Sequence, residues 1–294
     1  MSKEVALVLA SGGARGLAQI GAIEELERRG YHIHSIAAAS MGSVIGGVYA
    51  CGKMQEYSQW MQSLDKSDVF HLLDFTFSLG FVKAERVFSH MKKIIGNPNI
   101  EDFDIDLRII ATDIDKEQEY IFSKGRLLDA MRASTAYPTI ITPAVYKGKY
   151  LVDGGVLNPL PLNRVRRKEN DILVSVDLGA KIPYVNPFHS IEKKKDSNTA
   201  FSMAQKTFRK YFSDNSKKEV REKWNYFKLV TQTINLMHNQ LNELATQLHK
   251  PDINIPISFK AADTFDFYKA EELIEYGRHQ AKETLDKYEA NMLG

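Results

Sequence analysis

Cysteine occurs once in the 294 residues, as Cys51, so the chain can form neither an internal disulfide framework nor a Cys-based metal cluster. The eight histidines include no H-x-x-x-H pair, which removes the usual helical metal-binding spacing. No run approaches the roughly 20 consecutive apolar residues that span a bilayer. An excess of one charge is lacking too: the net charge is +2, and it gives no reason to expect a nucleic-acid partner. Met1-Ser2-Lys3-Glu4 passes straight into Val5–Leu9. That apolar run is too short for a signal-peptide core and leads into a glycine turn, so the expected location is cytoplasmic. What remains is ordinary for a globular protein, with 44% hydrophobic and 26% charged residues. The expected organisation is a single domain over residues 1–294, with enough chain for a large core.

Charge is unevenly spread. From Ile191 to Lys228, eleven Lys/Arg face five Asp/Glu, and the rest of the chain is correspondingly acidic. Residues 183–228 read as a linker followed by a basic amphipathic helix. Phe201, Ala204, Phe208, Tyr211 and Phe212 share one face, with Lys206, Arg209 and Lys210 around it. The bland reading is a packed helix with a solvated basic rim. The sharper one is a lid, or peripheral membrane contact through Phe201–Phe212.

The most informative stretch is Ile36-Ala37-Ala38-Ala39-Ser40-Met41-Gly42-Ser43. A buried strand runs directly into a helix with Ser40 at the corner. That is the nucleophile-elbow order, G-x-S-x-G, with Ala38 at the first glycine position and Gly42 at the second. Taken alone, Ser40 could simply cap the following helix. Upstream, Val5–Leu9 reads as a first strand, followed by Ser11-Gly12-Gly13-Ala14-Arg15-Gly16 and a helix ending near Gly30. A glycine turn between strand and helix presents backbone N–H groups to an anion. A dinucleotide is disfavoured, because Ser11 stands at the first glycine of that fingerprint. The next strand also ends without the acid that would hold a ribose. A transition-state oxyanion fits better, since turn and Ser40 end consecutive strands on one edge of a parallel sheet.

Farther on, Ala144–Tyr146 and Tyr150–Val152 flank Lys147-Gly148-Lys149 as a hairpin ending in Asp153-Gly154-Gly155. Asp153 could be the base for Ser40 if burial raised its pKa, or it could belong to an ordinary Asp-Gly turn. His189, His238, His249 and His279 follow it, so a Ser-Asp-His order can be written, but none sits in a glycine-marked turn.

In this order and at these separations, the three motifs resemble the patatin-like phospholipase family, specifically its small bacterial members. That family carries G-G-G-x-[RK]-G, G-x-S-x-G and D-G-[GA]. Ala111-Thr112-Asp113, Arg132-Ala133-Ser134, Leu151–Pro161, Pro251-Asp252-Ile253 and Ala270–Gly277 are similar to the family as well, so the likeness covers most of the chain. Ser11, Ala38 and Gln19 depart from it, Gln19 standing where many relatives carry His.

The resemblance implies an α/β fold, a three-layer α/β/α sandwich with a mostly parallel sheet. It implies a Ser40–Asp153 dyad with no intervening histidine. Gly12, Gly13, Ala14, Arg15, Gly16 and Met41 would form the oxyanion and substrate-binding set, with Arg15 fixing the loop or supporting an acyl or headgroup oxygen. Ala38, Gly42, Gly154 and Gly155 would support the motifs. No metal or cofactor is required. The implied reaction is hydrolysis of lipid acyl esters through an acyl-serine. An acyltransferase on the same dyad and a catalytically weak lipid-binding or regulatory protein are the alternatives. Asp113 and Asp177 read as structural carboxylates. Phe75–Phe81 has no clean helix period and reads as core or, more sharply, as cleft lining.

Overall fold

The computed structural model describes residues 3–72, 84–188 and 226–293. The Phe75–Phe81 stretch and the expected basic helix with Phe201–Phe212 lie outside them. Among the described residues, eight strands form one mixed sheet. These are β1 (Glu4–Leu9), β2 (His32–Ala39), β3 (Asp106–Asp113), β4 (Gln118–Phe122), β5 (Ala144–Tyr146), β6 (Lys149–Asp153), β7 (Ile172–Ala180) and β8 (Ile253–Ser258). The order is β5-β6-β3-β2-β1-β7-β8, with β4 paired to β3 off this path. The five strands β3, β2, β1, β7 and β8 are mutually parallel. The other three pair antiparallel. Parallel strands covered on both faces need continuous apolar runs. The chain provides them: Val5–Leu9 and Ile36–Ala39 are buried throughout.

Helices flank the sheet in a three-layer α/β/α arrangement. They are α1 (Ala18–Arg28), α2 (Met41–Ala50), α3 (Met54–Ser63), α4 (Lys66–Leu72), α5 (Glu85–Ile95), α6 (Leu127–Ser134), α7 (Tyr226–His249) and α8 (Ala270–Leu293). As the apolar spacing predicts, α1 buries Ile20, Ile23 and Leu26, and the chain turns at Gly30 with φ 77°. Helices α1 and α8 pack backbone to backbone. A Cβ on Gly21 would fall on the Ile274 carbonyl, and one on Gly277 on the Ala18 carbonyl. Among the described residues, no helix is long and apolar enough to cross a membrane.

The feature that positions the site is the double use of one edge of β3. β2 runs along that edge until Ala39 lies opposite Ile110. β6 occupies the same edge from the opposite direction, with Asp153 opposite Ala111. β4 takes the other edge, facing both Ile110 and Ala111. The ends of β2 and β6 therefore meet head-on, and the residue after Ala39 is brought to Asp153.

Candidate active site

Ser40 adopts φ 53° and ψ −127°, a strained conformation for a residue with a side chain. Its surroundings hold it there. Its N–H donates to Ser134 Oγ at 2.8 Å, and that hydroxyl donates to the Ile110 carbonyl at 2.6 Å. Its own carbonyl accepts from the Ser43 N–H and hydroxyl at 2.9 and 2.6 Å. Gly42 is needed because a Cβ there would overlap the Leu9 carbonyl where α2 crosses the end of β1. Ala38, by contrast, is fully buried inside β2 between Leu9 and Ile109, where a methyl group is accommodated. The departure from glycine at that position therefore leaves the elbow intact.

Ser40 Oγ donates to Asp153 Oδ2 at 2.5 Å. The other carboxylate oxygen, Oδ1, accepts from the Gly155 N–H at 2.7 Å. The Asp153 backbone is fixed by its N–H to the Ala136 carbonyl and by Thr112 Oγ1 donating to its carbonyl. Gly154 has no alternative, since a Cβ would strike the Ile110 carbonyl. Burial pushes the Asp153 carboxyl up to about 7, against the lowering pull of its bonds from Ser40 and Gly155. A carboxylate is thereby turned into a base that titrates close to neutrality.

The glycine loop lies beside this pair. Ser11 N–H donates to the Pro159 carbonyl at 2.8 Å, and Gln19 Nε2 holds the Ala10 carbonyl at 2.9 Å. Gln19 thus pins the loop to the end of β1. The chain then enters a 3-10 turn over Gly13–Leu17, whose first amides have no acceptor within the turn. Successive amides of so tight a turn point in different directions, and this divides the predicted set. Gly12 and Gly13 line the same cavity as Ser40 and Met41, and their N–H groups have no protein acceptor among the described residues. The Ala14 N–H, expected to face the substrate, donates to the Thr264 carbonyl at 3.0 Å. Arg15 is buried behind the loop, its Nη1 on the Phe259 carbonyl at 3.1 Å, in the loop-fixing place. Gly16 makes room for the Met41 side chain.

An apolar cavity opens from the serine. Its wall includes Trp60, Met61, Val69, Phe88 and Met91 from α3, α4 and α5, and Leu64 just after α3. Among the described residues no Lys, Arg, Asp or Glu lines it. A hydroxyl on a carboxylate, amides without a described acceptor beside it and a largely apolar cavity are a set of groups that acyl-transfer chemistry can use.

Three contributors were not singled out as site residues in the sequence. Ser134 sits in a quoted motif stretch without a role. Tyr137 follows α6 and lines the cavity, as does His238, which the sequence offers only as one of four histidines downstream of Asp153. No local signal marks His238, which lies inside a long helix. It bonds to neither Ser40 nor Asp153, and burial, with the Arg15 charge, lowers it to about 4. Asp113 is tied to Lys149 and the Lys116 N–H, and Asp177 to the Gly179 N–H and Asn242.

A family model described as patatin-like phospholipase matches residues 7–165. An uncharacterized NTE family protein of Mycobacterium bovis is 41% identical over 178 residues, 60% of this chain and 49% of its own length. Lysophospholipase NTE1 of Coccidioides immitis is 34% identical over 187 residues, 60% of this chain but 12% of that protein. The chain thus spans about half the length of the mycobacterial relative and a small part of the fungal one. Among solved structures, VipD from Legionella pneumophila superposes with a TM-score of 0.48 at 14% identity, covering 98% of this chain and 67% of its own.

Proposed function

The chain belongs to the patatin-like phospholipase family, and on that premise we propose that it is a serine hydrolase of lipid acyl esters, of phospholipase A or lysophospholipase type. The observation that carries this reading is the 2.5 Å bond to a buried Asp153 from the Oγ of Ser40, a residue that lines an apolar cavity. The acyl chain lies in the cavity. Ser40 Oγ attacks the ester carbon as its proton passes to Asp153 Oδ2. The Gly12 and Gly13 N–H groups receive the negative oxygen, a contribution worth about 2.7–4 kcal/mol per donor in comparable sites. The tetrahedral species collapses, the bond from carbon to the alcohol oxygen breaks, and Asp153 returns the proton to that oxygen. Water then repeats the sequence on the acyl-serine, releasing the fatty acid.

The test uses the intact protein. A fluorophosphonate probe is expected to label it once, on the peptide containing Ser40, and a lysophospholipid is expected to slow that labelling. Absence of labelling, or labelling elsewhere, would remove the enzyme reading and favour a lipid-binding protein.

The pH dependence follows from Asp153. As the base it must be ionised, and burial holds it near 7. Between pH 5 and 7, kcat/KM is expected to rise about tenfold per unit and then to level off. A profile flat from pH 5 to 8 would assign the proton acceptor elsewhere.

A further inference from the structure

Two residues that line the cavity carry a polar atom with no partner among the described residues. Tyr137 Oη and His238 Nε2 are both buried, and neither has a hydrogen-bond partner among the described residues. Each such orphan costs stability, about 1–3 kcal/mol. In a wall that carries no Lys, Arg, Asp or Glu among the described residues, the two lie together. The rings meet edge to face with centroids 6.4 Å apart, and both residues line the cavity that holds Ser40.

Their positions are fixed relative to the dyad. Tyr137 directly follows Ala136, whose carbonyl accepts the Asp153 N–H at 3.0 Å. His238 stands over Gly155. A Cβ built there would lie 2.8 Å from His238 Cε1, 2.7 Å from Ser11 Oγ and 3.0 Å from Asp153 Oδ1. Gly155 thus leaves the space in which imidazole and carboxylate come close without touching.

Both groups are neutral at working pH. Burial pushes the Tyr137 phenol above its usual range, with the Asp153 charge adding to it, and burial pulls His238 down to about 4. A charged headgroup would find no counter-charge among the described lining residues. What the pair suits is a neutral oxygen that can both donate and accept, since a phenol and a neutral imidazole offer both functions.

We propose that Tyr137 Oη and His238 Nε2 bind the free hydroxyl of the substrate's alcohol portion, on the carbon next to the scissile ester. This assignment rests on the Ser40–Asp153 reading and makes the two residues determinants of specificity. A bound hydroxyl satisfies both orphans at once. Lipids with an unesterified hydroxyl beside the cleaved ester are selected over those without it, because the latter leave both atoms unpaired. Any phosphate of such a lipid remains outside the cavity.

The experiment compares 2-hydroxypropyl decanoate with propyl decanoate, neutral esters that differ only in that hydroxyl. The full chain is expected to favour the hydroxyl ester by about tenfold or more in kcat/KM. In Tyr137→Phe and in His238→Leu the ratio is expected to fall to within about twofold of one, and His238→Gln, which keeps a neutral polar end, should recover part of it. A purely structural role for either side chain would change Tm without moving the ratio. A ratio near one in the parent, or one unchanged in both Tyr137→Phe and His238→Leu, would overturn the assignment while leaving the hydrolase reading in place. Turnover of neither ester, with no probe labelling, would overturn that reading and this assignment together.

Discussion

Ser40→Ala and Asp153→Asn are each expected to slow ester hydrolysis by about 10³-fold or more, and the double variant no further than either alone. On the proposed mechanism the two groups act as one unit: without the base the hydroxyl is a weak nucleophile, and without the hydroxyl the base has no proton to take. Both variants should fold. Among the described residues Ser40 Oγ bonds only to Asp153, and the elbow is held by backbone and Ser134 contacts that alanine keeps. In Asp153→Asn the amide oxygen can still accept from the Gly155 N–H, while the amide nitrogen turns to Ser40 Oγ. Circular dichroism and Tm check the fold, and single-turnover hydrolysis checks the chemistry. Rates near the parent's in Asp153→Asn would assign the proton to another group. The same substitution has a stability signature. A carboxyl raised from 3.8 to about 7 on folding favours the folded state fully only below its unfolded pKa, and that advantage disappears by the folded one. Asparagine does not titrate, so Asp153→Asn should gain on the parent by up to roughly 4 kcal/mol between pH 4 and 7.

Gly277→Ala is expected to destabilise the protein by about 2–4 kcal/mol and to lower Tm by roughly 5–10 °C. In an isolated helix, alanine would be the better residue by about 0.8–1 kcal/mol. Here the methyl group would land on the Ala18 carbonyl, so α1 and α8 must separate and loosen the contacts along their length. A backbone carbonyl cannot swing aside as a flexible side chain can. Gly30→Ala is the comparison. Gly30 has a left-handed φ of 77° with nothing near its missing Cβ, so the cost there is about 1 kcal/mol from backbone strain alone. Gly277→Ala should also reduce activity in the folded fraction, because Ala18 begins the helix that follows the Gly13–Leu17 turn. A Tm equal to the parent's would mean that the helices are not in backbone contact.

The sequence by itself determined the local pieces. Apolar runs marked β1 and β2, the 3.6-residue period marked α1, and Ser40, Gly42, Asp153 and the loop glycines announced sharp turns at strand ends. These follow from steric rules acting over a few residues, so they are legible in the chain. Even the substitution at Ala38 could be judged there, because a methyl group is small. Which amides of the glycine loop face the serine was not legible: Ala14 donates to Thr264, far along the chain, and only the packed loop decides that. The same holds for Tyr137 and His238, which become a pair only when the segment after α6 and helix α7 meet at one cavity. Above all, Ser40 and Asp153 are 113 residues apart, and no local pattern measures the distance between them. The tertiary structure set it through register, by letting β2 and β6 approach from opposite directions along one edge of β3. The same packing buried the carboxylate and raised an ordinary aspartate to about 7.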